Sequence, residues 1–108
     1  MKFFWDKIKK PFFCLAPMAD VTDVAFRQMF AKYGKPDVTW TEFVSADGLA
    51  SEGVRVLKYD LMFSEKERPV VVQLFGSNKE KMRQAAKMCA LLGFDRIDIN
   101  MGCQGKVY

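Results

Sequence analysis

At 108 residues, half of them apolar and 28% charged, the chain is one domain's worth or less, with a globular composition able to bury a core. A formal charge of +4 gives only a mild pull toward polyanions, and the complete absence of histidine removes Cys-His and Ser-His pairs and the commonest metal ligand. Charges or turn formers interrupt every hydrophobic segment before the roughly 18 residues a membrane span requires.

Residues 1–10 place Phe3, Phe4 and Trp5 among four lysines; the apolar run is too short for a signal peptide, so the segment reads as a basic, cytoplasmic leader. Residues 11–108 read as the amino-terminal half of a barrel domain, truncated. Pro11-Phe12-Phe13-Cys14-Leu15-Ala16 is a short apolar run bounded by prolines, the pattern of a fully buried parallel strand. Pro17-Met18-Ala19 turns the chain, and Asp20 or Thr22 offers a side-chain cap to a helix. Phe26, Met29, Phe30 and Tyr33 follow helical spacing as an apolar face, and Gly34 is expected to supply a left-handed stop.

A second strand is predicted from Pro36 to Glu42, and a short helix within Phe43–Ser51 that Gly48 weakens. Val54 to Arg68 mixes apolar and charged residues without a period, so no regular element is assigned. Val70 to Phe75 is the clearest strand, ended by Gly76. Ser77 and Glu80 then form an S-x-x-E capping box, and Met82, Ala85, Ala86 and Cys89 repeat at helical spacing before Gly93. Phe94 to Asn100 returns as a fourth strand, with Ile97 and Ile99 on one face and Asp98 and Asn100 on the other.

Strands alternating with helices call for a parallel sheet with the helices outside. The dinucleotide fingerprint G-x-G-x-x-G is missing after the first strand, where Ala16-Pro17-Met18 stands instead. The α/β class is therefore expected as part of a (β/α)8 barrel, about its first four strands, in preference to an open doubly wound sheet.

Gln73 interrupts an otherwise apolar strand, and an unpaired buried amide costs about 1 to 3 kcal/mol, so something must satisfy it: a neighbouring strand, or a polar planar ligand. Asn100 ends the fourth strand at the edge where barrels of this type build their sites, but asparagine before glycine also serves turns. Asp98 is read as a supporting residue. Cys14 and Cys89 read as core, whereas Cys103 stands in a loop after a strand. With an ordinary thiol pKa of about 8.5, Cys103 is mostly protonated at neutral pH and suits a general acid better than a nucleophile. The three cysteines form neither a C-x-x-C pair nor an even disulfide framework, which suits a reducing compartment and argues against zinc.

Four segments in order, Leu15-Ala16-Pro17-Met18-Ala19-Asp20-Val21-Thr22-Asp23, Thr41-Glu42-Phe43-Val44-Ser45-Ala46, Val72-Gln73-Leu74-Phe75-Gly76-Ser77 and Asp98-Ile99-Asn100-Met101-Gly102-Cys103, resemble the amino-terminal part of a tRNA-dihydrouridine synthase. The resemblance implies an FMN-binding (β/α)8 barrel in which Pro17, Met18 and Ala19 wrap the flavin ring and Gln73 bonds its polar edge. It implies further that Asn100 helps hold the target uracil and that Cys103 is the proton donor. Reduced FMN would deliver hydride to uracil C6, with NADPH as reductant, tRNA as partner and no metal or membrane involved. A uridine in folded tRNA must leave its stack to react, which gives the positive charge more meaning.

The family pattern has proline directly after the cysteine, whereas Gln104 follows here and Gly105-Lys106-Val107-Tyr108 does not continue the pattern. A truncated fragment is therefore expected, with an exposed sheet edge that invites self-association. Two other readings remain open: a flavin-dependent barrel oxidoreductase acting on free pyrimidines, and an inactive fragment.

Overall fold

The computed structural model describes residues 3–102. Four parallel strands, β1 (Cys14–Leu15), β2 (Val38–Ser45), β3 (Val70–Phe75) and β4 (Arg96–Ile99), form one sheet in the order β1-β2-β3-β4. Each strand lies beside its predecessor, with no reversal of order, which is the winding of a barrel and not of a doubly wound sheet. The fold is α/β, the opening part of a (β/α)8 barrel. Among the described residues no helix is long and apolar enough to cross a membrane.

The sheet separates two environments by strand parity. Val70, Val72 and Leu74 of β3 face outward and pack with Val44, Ala46, Ala85 and Cys89 into the hydrophobic core. Val71, Gln73 and Phe75 face inward, in register with Trp40, Phe43 and Ser45 of β2, and Arg96 and Asp98 of β4 pair with Val71 and Gln73. The expected split of the fourth strand holds, since Ile97 packs against the outer core while Asp98 bonds to inner-face partners.

The first strand is shorter and less buried than expected. Among the described residues it pairs with β2 alone, and Leu15 is buried while Phe13 is 77% exposed and Cys14 is exposed. Cys14 is therefore not a core residue. An edge strand covered on one side buries alternate residues, and continuous hydrophobicity in the sequence does not show which strand is the edge.

Helix α1 (Val24–Tyr33) corrects three expectations. Its cap is Asp23, whose carboxylate accepts from Phe26 N at 2.8 Å, and neither Asp20 nor Thr22 fills that role. Gly34 closes the helix through its N–H to Phe30 O but with φ of −171°, so the stop is not left-handed. Its apolar stripe is exposed at Met29 (58%) and Tyr33 (71%), and the buried residue is Arg27. The helix docks through charge: Arg27 Nε meets Glu67 Oε2 at 2.8 Å, and its other nitrogens donate to Thr22 O and Met62 O.

Segment 54–68, unassigned from the sequence, carries a short helix α3 (Val54–Leu57) after α2 (Ala46–Leu49), then a 3-10 turn, Glu65–Glu67, that supplies the partner of Arg27. Strand β2 runs on to Ser45, beyond the expected end at Glu42. Helix α4 (Lys79–Leu92) matches its apolar spacing, but its cap is Asn78, accepting from Lys81 N at 3.0 Å, one residue past the expected Ser77. Gly93 ends it in the left-handed conformation, φ 90°.

Residues 4–7 form a 3-10 turn that lies against the amino-terminal end of the sheet. The Trp5 ring sits 6.0 Å from Trp40 and 5.7 Å from Phe12, and the Arg96 guanidinium lies 5.2 Å over both Phe3 and Phe4.

Candidate functional site

The inner face carries a chain of hydrogen bonds that crosses three strands. Asp98 Oδ2 accepts from Trp40 Nε1 at 3.1 Å and from Gln73 Nε2 at 2.7 Å. This contact sets the Gln73 amide with its NH2 toward Asp98, whose oxygen accepts. Gln73 Oε1 is then turned to the residue just past β4, Asn100, whose Nδ2 donates to it at 3.2 Å. Asn100 Oδ1 in turn accepts from Gly102 N at 3.0 Å, and the Asn100 backbone N–H reaches Leu74 O at 2.8 Å. Two amides thus have their polarity set in sequence from one carboxylate.

The buried amide anticipated at Gln73, 9% exposed, is satisfied by its neighbouring strand. Beside it on the same face Phe43 and Phe75 meet edge to face, ring centroids 5.6 Å apart. An amide of fixed polarity next to aromatic surface, at the carboxyl end of parallel strands, can hold a planar heterocycle by its donor and acceptor edge.

Strand β2 reaches this face through an irregularity. Trp40 pairs with Val71 and Phe43 with Gln73, so three steps along β2 match two along β3. The extra residue is a β-bulge of the kind found beside active sites. Fully buried Thr41 lies in it, its hydroxyl donating to Glu42 O at 2.7 Å and accepting from Gln73 N at 3.3 Å. The half-buried Glu42 sends its carboxylate sideways to accept from Asp20 N.

That contact ties in the loop after β1. Leu15 pairs with Thr39, and beyond it the loop reaches β2 again where Asp20 N donates to the Glu42 carboxylate. Buried Thr22 draws the loop tight: its hydroxyl accepts from Met18 N at 3.0 Å and donates to Met18 O at 3.2 Å. Pro17 is half-buried, and Met18 (40% exposed) and Ala19 are exposed. Of the residues singled out from the sequence, Gln73 and Asn100 are thus in direct contact, Pro17, Met18 and Ala19 stand on the neighbouring loop linked through Glu42, and Cys103 falls outside the described residues.

Sequence reasoning missed Trp40, Thr41 and Glu42 as site residues. Trp40 registered only as a β-former because its partner lies 58 positions along the chain. Trp40 and Glu42 share strand parity, which alone would send both side chains to the inner face; the bulge that separates them leaves no mark in the pattern. Among the described residues no group of three or more His, Cys, Asp or Glu could hold a metal ion. The Cys14 thiol is pushed up by partial burial and then by the nearby Asp37 carboxylate, which opposes reactivity there.

Residues 14–107 match the family model of dihydrouridine synthases. A probable tRNA-dihydrouridine synthase of Staphylococcus aureus (strain COL) is 42% identical over 101 residues, 93% of this chain and 31% of the relative. The probable tRNA-dihydrouridine synthase 2 of Bacillus subtilis (strain 168) is 43% identical with the same coverage, and a Staphylococcus epidermidis counterpart (strain RP62A) is 41% identical. The chain spans about a third of the length of these curated relatives.

Proposed function

Because the chain belongs to the dihydrouridine synthase family, we propose that it supplies one wall of the flavin and uracil site of a tRNA-dihydrouridine synthase. The observation that carries this reading is the Gln73–Asn100 amide pair, fixed in polarity by Asp98 on the inner face of the strands. The residues present suit a planar cofactor: a poised amide with an edge-to-face aromatic pair beside it, and a partly exposed Met18 on the loop that Glu42 ties to β2.

In this reading Pro17, Met18 and Ala19 border the FMN ring, Gln73 bonds its polar edge, and Asn100 holds the uracil. When bound, reduced FMN supplies the hydride that adds to uracil C6, and NADPH is the reductant that restores it. Cys103 gives its thiol proton to C5, so that hydride and proton together saturate the C5–C6 double bond, and solvent reprotonates the thiolate. No histidine is needed, because a thiol of ordinary acidity already holds the proton at neutral pH. With tRNA as the substrate the chemistry would run in the cytoplasm, and the chain's mild positive charge would assist the approach of the polyanion.

The test is reduction by the complete reading frame carrying this chain, supplied with NADPH and either tRNA or free pyrimidine. The expected product is dihydrouridine in tRNA, with a loss of about 100-fold or more in Cys103→Ala while flavin is retained. Preference for the free base would favour an oxidoreductase of free pyrimidines, and unchanged activity in the variant would remove Cys103 as the acid.

A further inference from the structure

The strongest unassigned feature is the contact between the β2 bulge and the loop after β1. Asp20 holds φ of 58°, the one non-glycine residue with positive φ among those described, and its N–H is taken by the Glu42 carboxylate. A left-handed aspartate is tolerated but costs energy, and it persists where its surroundings over-determine it. Here two restraints do so: the Thr22 hydroxyl grips the Met18 backbone from one side, and Glu42 holds the Asp20 amide from the other.

The bulge fastens the opposite side of the site as well. Thr41, in the same irregularity, accepts the backbone N–H of Gln73 and donates to Glu42 O. One inserted residue in β2 therefore ties the 17–20 loop and the Gln73 strand to a common support. A regular strand could not do both, since Trp40 and Phe43 must each stay in the inner-face row opposite Val71 and Gln73.

We infer that Glu42 is a positioning residue, whose carboxylate locks the 17–20 loop in the conformation that faces the cofactor. The inference rests on the functional reading above in taking Pro17, Met18 and Ala19 as cofactor-facing. Glu42 acts through the loop backbone, so its acceptor oxygen matters and its charge matters less. Glutamine at this position keeps that oxygen, whereas alanine removes it.

The experiment measures amide hydrogen exchange by NMR in the complete reading frame carrying this chain and in its Glu42→Gln and Glu42→Ala variants, followed by titration of each apoprotein with FMN. The Val72 and Leu74 amides of β3 report whether the fold is intact. In Glu42→Ala, Asp20 amide exchange is expected to rise about tenfold or more and FMN affinity to fall by a similar factor, with β3 unchanged. Glu42→Gln is expected to restore both to within about threefold. Equal Asp20 exchange in all three proteins overturns the inference whatever the flavin does, as does unaltered FMN affinity in Glu42→Ala. If Asp20 exchange responds as expected but no variant binds FMN, the lock stands and the failure belongs to the flavin reading.

Discussion

Cys89 is wholly buried on the sheet-facing side of α4, and burial pushes its thiol up to about 11 from 9.0. Between those values the unfolded chain has given up this proton and the folded chain has not. Its contribution to stability is therefore full below about pH 9 and is lost as pH rises toward 11, a change of about 3 kcal/mol. Urea unfolding midpoints at pH 8 and pH 10.5 should fall further in the parent chain than in Cys89→Ala, although the variant starts lower because it leaves a small cavity. Parallel decline in the two proteins would contradict the assignment. The inner-face residues show what sequence can and cannot reveal at this scale. Gln73 announced a missing partner because an amide in an apolar strand demands one, and Asn100 was legible from its place at a strand end. The identity of the partner was not legible: Asp98, taken only as a supporting residue, turns out to accept from both Trp40 and Gln73 through a single oxygen.

Among the elements, α1 and α4 contrast two ways of docking a helix. Helix α4 buries Ala85 and Cys89 against the sheet, so its apolar spacing and terminal glycine described it well. Helix α1 carries an equally regular apolar stripe, yet Met29 and Tyr33 face solvent and the contact is made by the Arg27–Glu67 pair. Periodicity reports which residues share a face but not what covers that face. Removing one partner of a buried pair strands the other charge, so Arg27→Met or Glu67→Gln alone should lower stability by about 3–5 kcal/mol. The double replacement Arg27→Met with Glu67→Leu should recover much of that loss, because no charge is left unpaired. Chemical denaturation of the three variants checks this, and additive losses in the double variant would sink it. The β2 bulge belongs at this scale too: one extra residue keeps Phe43 in the inner row while freeing Glu42 to reach Asp20.

For the molecule as a whole, the alternation of elements and the missing dinucleotide fingerprint were enough to indicate sequential parallel strands, and the order β1-β2-β3-β4 agrees. What stayed hidden was how completely each strand is covered, because burial depends on neighbours that the local pattern does not contain. Among the described residues β1 and β4 each pair on one side only, with Phe13 77% exposed and Ile99 50% exposed near those edges. We propose that such edges associate. Sedimentation velocity of the 108-residue chain should show larger species as concentration rises, whereas a single monomeric species at every concentration would argue against it. The motifs shared with dihydrouridine synthases brought Pro17, Met18, Ala19, Gln73, Asn100 and Cys103 into view, while Trp40, Thr41 and Glu42 emerged only from contacts between strands.

The claim on which the account turns is that the inner face around Gln73 holds the flavin. Its most direct measurement is the flavin content of the complete reading frame, purified with its native residue and with Gln73→Leu, where Asp98 keeps its bond from Trp40. The account predicts bound FMN in the parent and a loss of most of it in the variant at unchanged circular dichroism. Full retention of FMN by folded Gln73→Leu would contradict it.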